Sequence, residues 1–108
     1  MLRALSALLL LSTAPALAQE TGVQAETVAD GLDHPWSLAF LPEGGMLVTE
    51  RAGRLRLIRA GQLVEDPVTG VPDVFNERQA GLLDVVLHPD FESNRFVYLS
   101  FSQGNTVL

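Results

Sequence analysis

The sequence predicts an all-β chain that forms part of a β-propeller. A short segment occurs twice, as Leu38 to Glu43 and as Val85 to Asp90, and a second apolar run follows each copy. The prolines at positions 42 and 89 are 47 residues apart, close to the roughly 40 to 50 residues of a propeller blade. Repeats of this kind are stable only when about three or more stack. We therefore expect one blade and the start of a second to be poorly soluble or unfolded alone.

The first repeat divides into four strand-like runs separated by three short turns. Each turn contains glycine, which tolerates positive φ and permits a tight reversal. The fourth run contains Pro67, which a sheet tolerates at its edge. Four antiparallel strands with short connections form one propeller blade. The predicted strands are Ser37 to Leu41, Met46 to Glu50, Arg54 to Arg59 and Gln62 to Val68.

The third run alternates between apolar and basic residues. Leu55 and Leu57 share one face of the predicted strand, and Arg54 and Arg56 share the other. A period of two is typical of a half-buried strand. We interpret the arginine face as solvated.

A polar connection, residues 69–80, precedes the second repeat. Gly81 to His88 is the predicted first strand of that repeat, and Arg95 to Ser102 is predicted to return antiparallel to it. We divide the chain into a signal peptide (1–18), an N-terminal arm (19–27) and a partial propeller (28–108).

The first 18 residues have the features of a secretory signal peptide. A basic start at Arg3 precedes the apolar run 4–11, and Ala16-Leu17-Ala18 is a small-residue cleavage site. A buried N-terminal helix is the alternative, which Pro15 disfavours. The apolar run is far shorter than the ~20 residues of a membrane span. We expect a periplasmic or secreted protein that starts near Gln19 and has no membrane insertion after cleavage.

The charge of the exported chain excludes several classes of partner. Without Arg3 it holds six basic residues, all arginine, against thirteen acidic ones, which gives a net charge of −7. An acidic surface repels phosphate backbones and anionic lipid, so we expect no nucleic-acid partner. The chain has no cysteine, and neither disulfides nor thiolate metal sites stabilise it.

Two loops are predicted to reach the mouth of the central channel, because they lead into the first strand of each repeat. They are residues 33–36 and residues 76–81. In the second loop, Asn76, Arg78 and Gln79 donate hydrogen bonds, and Gln79 also accepts them, which suits a sugar hydroxyl. Gly81 lets the backbone approach a ligand closely. A polar loop between blades explains the same residues, and the pattern alone favours that simpler interpretation.

Other candidate residues have structural explanations. His34 and His88 each precede proline, where a ring caps a turn or packs on a strand end; Pro35 also favours extended backbone at His34. Trp36 could stack on a flat cofactor, but a core position is more common for tryptophan at a strand start. Asp84 lies in an apolar strand, where it faces the channel or makes a strand-end hydrogen bond.

Three ordered blocks of this sequence resemble a known family. They look like the soluble PQQ-dependent aldose sugar dehydrogenases of the glucose/sorbosone dehydrogenase family. The resemblance covers Val28 to about Ser102, nearly all of the exported chain. The blocks are Leu32 to Pro42, Met46 to Arg51 and Gln79 to Phe91.

The resemblance implies a six-bladed periplasmic propeller that binds pyrroloquinoline quinone (PQQ) with calcium and passes electrons to an acceptor. Such enzymes oxidise the C1 hydroxyl of an aldose sugar to a lactone. Gln79 occupies the place of the family's substrate-binding glutamine, and it is the one site residue carried over. The resemblance places the histidine base, the cofactor-binding basic residues and the calcium ligands in later blades. We therefore assign no catalytic or metal residue to this chain and expect it to be inactive alone.

Two other functions fit the same residues. A non-catalytic propeller could use the mouth to bind carbohydrate or another protein, since a shared fold does not fix a shared chemistry. A propeller lactonase would activate water on a channel-bound metal, but this segment offers few ligands for one.

Overall fold

The structure, a computed structural model, describes residues 22–104, and the predicted signal peptide lies outside the described residues. In this part, six strands form two antiparallel sheets, and there is one four-residue helix. This arrangement confirms the all-β prediction. The elements are β1 (Pro35–Phe40), β2 (Met46–Glu50), β3 (Arg54–Arg59), β4 (Gln62–Leu63), β5 (Leu82–Leu87), α1 (Phe91–Asn94) and β6 (Val97–Phe101).

The first sheet is a four-stranded blade with the order β1-β2-β3-β4, and each neighbouring pair is antiparallel. β2 and β3 have the predicted bounds, whereas β1 begins two residues earlier and ends one residue earlier. Leu41 N donates to Gly45 O at 2.8 Å in the first turn, and Gly53 N donates to Glu50 O at 2.9 Å in the second. The short glycine turns therefore form as the sequence predicts.

The fourth strand is shorter than predicted, because β4 ends at Leu63 and does not continue to Val68. Beyond β4, Arg56 Nη2 donates to the carbonyl oxygens of Val64 and Glu65 at 3.2 and 3.3 Å. A side chain thus occupies backbone acceptors next to the edge of the sheet. Val68 resumes the pairing through one isolated bridge to β3.

The second sheet pairs β5 with β6, as predicted for the start of a second blade. The helix α1 connects them. Arg95 ends α1 in the left-handed conformation, with φ 59. Four residues are too few for a helical period to be visible in a sequence. Within residues 22–104, no helix is long and apolar enough to cross a membrane.

His88 stabilises this connection, which confirms its structural interpretation. Its Nδ1 atom accepts a hydrogen bond from Asp90 N at 2.9 Å. The imidazole ring stacks on Tyr98 with 5.9 Å between ring centroids. His88 therefore fixes the turn after β5.

The two sheets pack face to face over an apolar core. Leu55 is buried, and Leu57 packs beside it on the same face of β3, as the alternating pattern predicts. Burial of apolar area is the main favourable term in folding. The buried residues of this core are Leu41, Leu47, Leu55, Val85 and Phe91.

Each sheet exposes several apolar side chains on its outer face. Trp36, Leu38 and Phe40 share the outer face of β1, and 54%, 51% and 74% of their surfaces are exposed. Val86 and Tyr98 are exposed on the second sheet. Trp36 is thus outside the core of the described part, where the sequence favoured a core position. Contiguous apolar surface of this kind marks a contact with further protein.

Hydrogen bonds join the two blades where β5 passes β1 and β2. Thr49 Oγ1 donates to Leu83 O at 2.5 Å, and Ser37 Oγ donates to Asp84 Oδ1 at 2.5 Å. Thr49 is fully buried, so its hydroxyl group requires this partner. The polar residues of β1 and β2 therefore fix the position of β5.

Gly81 lies directly against the backbone of Arg51. A Cβ atom at position 81 would lie 2.2 Å from Arg51 O, and Gly81 has φ 150. The close approach that we attributed to a ligand is therefore an approach to the preceding blade. Only glycine fits at this position.

We predict that Gly81→Ala lowers the free energy of unfolding by about 2 to 5 kcal/mol, from backbone strain and from overpacking. Gly70→Ala is the matched control, since Gly70 has φ 92 but no other group within 4 Å of the place that an alanine methyl group would take. That control should cost about 1 to 2 kcal/mol, because it carries strain alone. Chemical denaturation of the protein measures both. Equal losses would contradict the steric explanation.

Candidate functional site

Both loops that the sequence predicts at a channel mouth lie at one edge of the sheets. Arg51 N donates to His34 O at 3.1 Å, and Arg51 O accepts from Leu82 N at 2.9 Å. Gly81 O accepts from Ser102 N at 2.9 Å. Backbone hydrogen bonds therefore connect the loop before β1, the end of β2, the start of β5 and the end of β6. We name this region the mouth edge; it comprises residues 33–34, 50–51, 76–81 and 102.

Gln79 lies in a four-residue turn of the mouth edge. Ala80 N donates to Glu77 O at 2.9 Å and closes the turn. Arg78 has φ 57, which is uncommon for a residue other than glycine. The Gln79 side chain is exposed and makes no hydrogen bond to another residue within 22–104. Its amide group is available to accept and donate hydrogen bonds, as are the exposed side chains of Asn76 and Arg78.

The loop before β1 has a conformation that the sequence did not predict. His34 has φ 46, although Pro35 favours an extended residue before it. In this conformation the His34 carbonyl oxygen meets Arg51 N. The exposed imidazole ring pairs with its neighbour, since Nδ1 lies 2.5 Å from Asp33 Oδ1. The ring therefore does not pack on a strand end.

Asp33 connects His34 to the first blade. Arg54 Nη2 donates to Asp33 Oδ2 at 3.0 Å. The hydrogen bond with His34 is the largest cause that lowers the pKa of Asp33, and Arg54 lowers it further against the effect of desolvation. Asp33 is therefore ionised at neutral pH. The side chains of His34 and Asp33 are both largely exposed, so we expect the ion pair between them to contribute little to stability.

Glu50 is a buried carboxylate that the sequence analysis missed. It is 0% exposed at the end of β2. Glu50 Oε1 accepts from Arg54 Nε at 2.8 Å and from Arg56 Nη1 at 3.1 Å, and Glu50 Oε2 accepts from Asp33 N at 2.5 Å. The prediction of a solvated arginine face is therefore wrong. The available signal was an acidic residue at the end of an apolar strand, opposite arginines in the next strand.

The pKa of Glu50 reflects two opposing effects. Burial raises this pKa, but the hydrogen bonds from Asp33 N, Arg54 and Arg56 outweigh burial, so the net direction is downward. A buried carboxylate that accepts several hydrogen bonds is stable in its ionised form. Glu50 is therefore ionised at neutral pH and carries a buried negative charge at the mouth edge.

Asp84, the third residue of β5, makes hydrogen bonds within the strand and not at its end, where the sequence analysis had placed one of its two roles. Its Oδ1 atom accepts from Val85 N at 2.9 Å as well as from the Ser37 hydroxyl. Ser100 Oγ accepts from Asp84 N at 2.9 Å. These contacts lie where the pairing of β5 with β6 shifts register. Asp84 therefore stabilises an irregular strand.

Comparison with known proteins identifies the family. Residues 32–107 match the family model described as Glucose / Sorbosone dehydrogenase. The chain belongs to the glucose/sorbosone dehydrogenase family. The match includes both loops of the mouth edge, and it confirms the resemblance seen in the sequence.

Relatives within the glucose/sorbosone dehydrogenase family include enzymes of known structure. The aldose sugar dehydrogenase YliI of Escherichia coli is 54% identical over 82 residues, which cover 75% of this chain and 22% of the relative. The crystal structure of the soluble aldose sugar dehydrogenase of Escherichia coli in the apo-form superposes with a TM-score of 0.71, at 52% identity, over 76% of this chain and 24% of that chain.

A second solved structure is the PQQ-bound form of aldose sugar dehydrogenase from Streptomyces coelicolor. It superposes with a TM-score of 0.66, at 37% identity, over 72% of this chain and 24% of that chain. This chain thus spans about a quarter of the length of these family members. Its two sheets are a blade and part of a second blade of a propeller.

We predict that the stability of the folded protein falls as the pH is lowered below about 4.5, the ordinary pKa of a glutamate. A lowered pKa in the folded state contributes stability above the unfolded-state pKa, and protonation removes this contribution as the pH falls through the folded-state value. Asp33 and Glu43 shift in the same direction.

The variant Glu50→Gln should flatten this acid-induced loss, as measured by denaturation midpoints between pH 3 and pH 7. Glu43→Gln is the control, because Glu43 pairs with Arg95 at 3.0 Å on the exposed surface, where charge pairs contribute little. The interpretation is wrong if both variants retain the acid dependence of the parent protein.

Proposed function

We propose that this chain is the N-terminal part of an exported, PQQ-dependent sugar dehydrogenase that oxidises the C1 hydroxyl of an aldose to a lactone. Its family membership and the names of its relatives support the reaction class. The predicted signal peptide supports export to the periplasm or the cell exterior. The observation that carries the proposal is Gln79, which is exposed at the mouth edge and whose amide group makes no hydrogen bond to the other described residues.

The described residues fit part of the machinery that this reaction needs. Within residues 22–104, no three side chains of histidine, cysteine, aspartate or glutamate lie together as a metal site. We derive no step through calcium. Exposed amide and guanidinium groups at Asn76, Arg78 and Gln79 fit the polar wall of a pocket for a sugar and a cofactor. When bound, PQQ supplies the carbonyl group that accepts a hydride.

The role of Gln79 is to bind and orient the sugar. A hydroxyl group both donates and accepts a hydrogen bond, and one primary amide offers the complementary acceptor and donor. Holding the substrate in a reactive geometry removes entropy before the chemical step. The turn at residues 77–80, fixed by Gly81 on Arg51, limits how far Gln79 moves. A base that removes the hydroxyl proton is required in addition, and we place it in later blades.

The outer faces of the sheets support assignment to a larger ring. Trp36, Leu38 and Phe40 line a groove of about 640 Å³ between β1 and the chain segment 26–29. The opposite, inner face of the first sheet is apolar too, and the second sheet covers it. We propose that another blade of the complete protein covers the outer face of β1.

This assignment predicts a loss of stability for Phe40→Ser in the complete protein. The loss should be about 2 to 4 kcal/mol if a further blade buries the ring. Its 74% exposure in this chain otherwise predicts a change within about 0.5 kcal/mol. Thermal unfolding of the complete protein distinguishes the two values. A change in the smaller range would contradict burial of this face.

The proposed activity predicts a specific effect of Gln79→Ala. In the complete protein supplied with PQQ and Ca²⁺, this variant should lower kcat/KM for an aldose about tenfold, the usual consequence of losing about 1.4 kcal/mol of hydrogen bonding. Reduction of an artificial electron acceptor measures the rate. Gln62→Ala is the matched control, because Gln62 is exposed on β4 away from the mouth edge.

Two results would overturn this proposal. If the complete protein reduces no acceptor with any aldose, the enzyme assignment fails, and sugar binding without oxidation would favour a binding propeller. If Gln79→Ala retains the parent kcat/KM, Gln79 is not a substrate-binding residue.

A further inference from the structure

Glu50, the last residue of β2, contacts both the loop before β1 and strand β3. The Glu50 carboxylate holds Asp33 N, next to His34, and it also holds Arg54 and Arg56 of β3. The Glu50 carbonyl oxygen accepts from Gly53 N at 2.9 Å. Side chain and main chain of Glu50 are therefore both fixed.

Arg51, the next residue, connects Glu50 to the second blade through backbone contacts. Its N–H group binds the loop before β1, and its carbonyl oxygen binds Leu82 N. Its backbone and its Cγ atom fill the space beside Gly81. Gly81 is two residues after Gln79. A change in the backbone conformation of Arg51 would therefore move the turn that carries Gln79.

Burying an ionised carboxylate costs desolvation free energy, so stability alone does not explain a glutamate at position 50. An ionised group without water requires partners for its charge, and well-packed apolar residues often replace a buried ion pair without loss of stability. Glu50 has the partners it needs. Its three hydrogen bonds are directional, which apolar packing is not, and they restrain the backbone where β2 continues into Arg51.

We infer that Glu50 is a positioning residue for Gln79, and that it acts through the backbone of Arg51 and Gly81. The inference rests on the proposed sugar-binding role of Gln79. It assigns Glu50 no contact with sugar or cofactor. Its effect on the reaction should therefore depend on the presence of the Gln79 side chain.

A double-mutant cycle tests this dependence in the complete protein supplied with PQQ and Ca²⁺. Glu50→Gln keeps the size of the side chain and removes its charge. Alone, it should lower kcat/KM for the aldose about tenfold, mostly through KM, whereas in the Gln79→Ala background it should lower it less than about twofold. Glu43→Gln, at the exposed pair with Arg95 in the β1–β2 turn, is the control and should change kcat/KM less than about twofold.

The outcomes separate this inference from the proposed function. If Gln79→Ala lowers kcat/KM and Glu50→Gln lowers it by the same factor in both backgrounds, the positioning role is wrong while the proposed function stands. If the parent protein does not oxidise aldoses, or if Gln79→Ala has no effect, the proposed function fails first.

A second variant covers the case in which Glu50→Gln does not fold. Arg54→Gln removes one partner of the same carboxylate, and Arg54 is 39% exposed, so this change is milder. It should show the same dependence on Gln79, with a smaller effect. Equal effects in both backgrounds, or failure of both variants to fold, would show that the network serves stability alone.

Discussion

Backbone groups of two successive blades meet at Arg51 and Gly81, and this approach determines where the polar side chains of the mouth edge lie. The Arg51 carbonyl oxygen binds Leu82 N, and a Cβ atom on Gly81 would come within 2.2 Å of that oxygen. The apolar core between the sheets supplies most of the stabilisation, but it is non-directional. The contact at Gly81 fixes the register between the blades.

The buried carboxylate of Glu50 adds a second set of directional contacts to the packing of Gly81 on Arg51. Glu50 is fully buried, but its carboxylate accepts hydrogen bonds from one backbone group and two guanidinium groups. Each partner belongs to an element that borders the mouth edge. The network therefore links the loop before β1 to β2 and β3. Directional contacts of Glu50 order this edge, while the side chains of Asn76, Arg78 and Gln79 are exposed there.

The sequence predicted the strands well and the contacts between them poorly. β2 and β3 formed with their predicted bounds because an alternating pattern and glycine turns act locally. The edge strand is shorter than predicted, and just beyond it the side chain of Arg56 donates to the carbonyl oxygens of Val64 and Glu65, a contact that a pattern of residue types does not show. Helix α1 is too short to leave a period.

The candidate site was likewise predictable where it depends on local sequence and not where it depends on contacts between strands. The pattern placed Gln79 in a loop beside the first strand of a blade, since position in a repeat is readable from spacing. It did not reveal Glu50 as the partner of Arg54 and Arg56, because an alternating arginine face is usually solvated. It also attributed the small size of Gly81 to a ligand, since the approach of Arg51 depends on how two sheets pack. Pairings across the fold decide these features.

The most direct test of the account is a crystal structure of the complete protein with PQQ and an aldose bound. The account predicts that the Gln79 amide group lies within hydrogen-bond distance of a sugar hydroxyl, about 2.7 to 3.2 Å, while Gly81 stays packed on Arg51. A sugar bound elsewhere, with Gln79 facing bulk solvent, would contradict it.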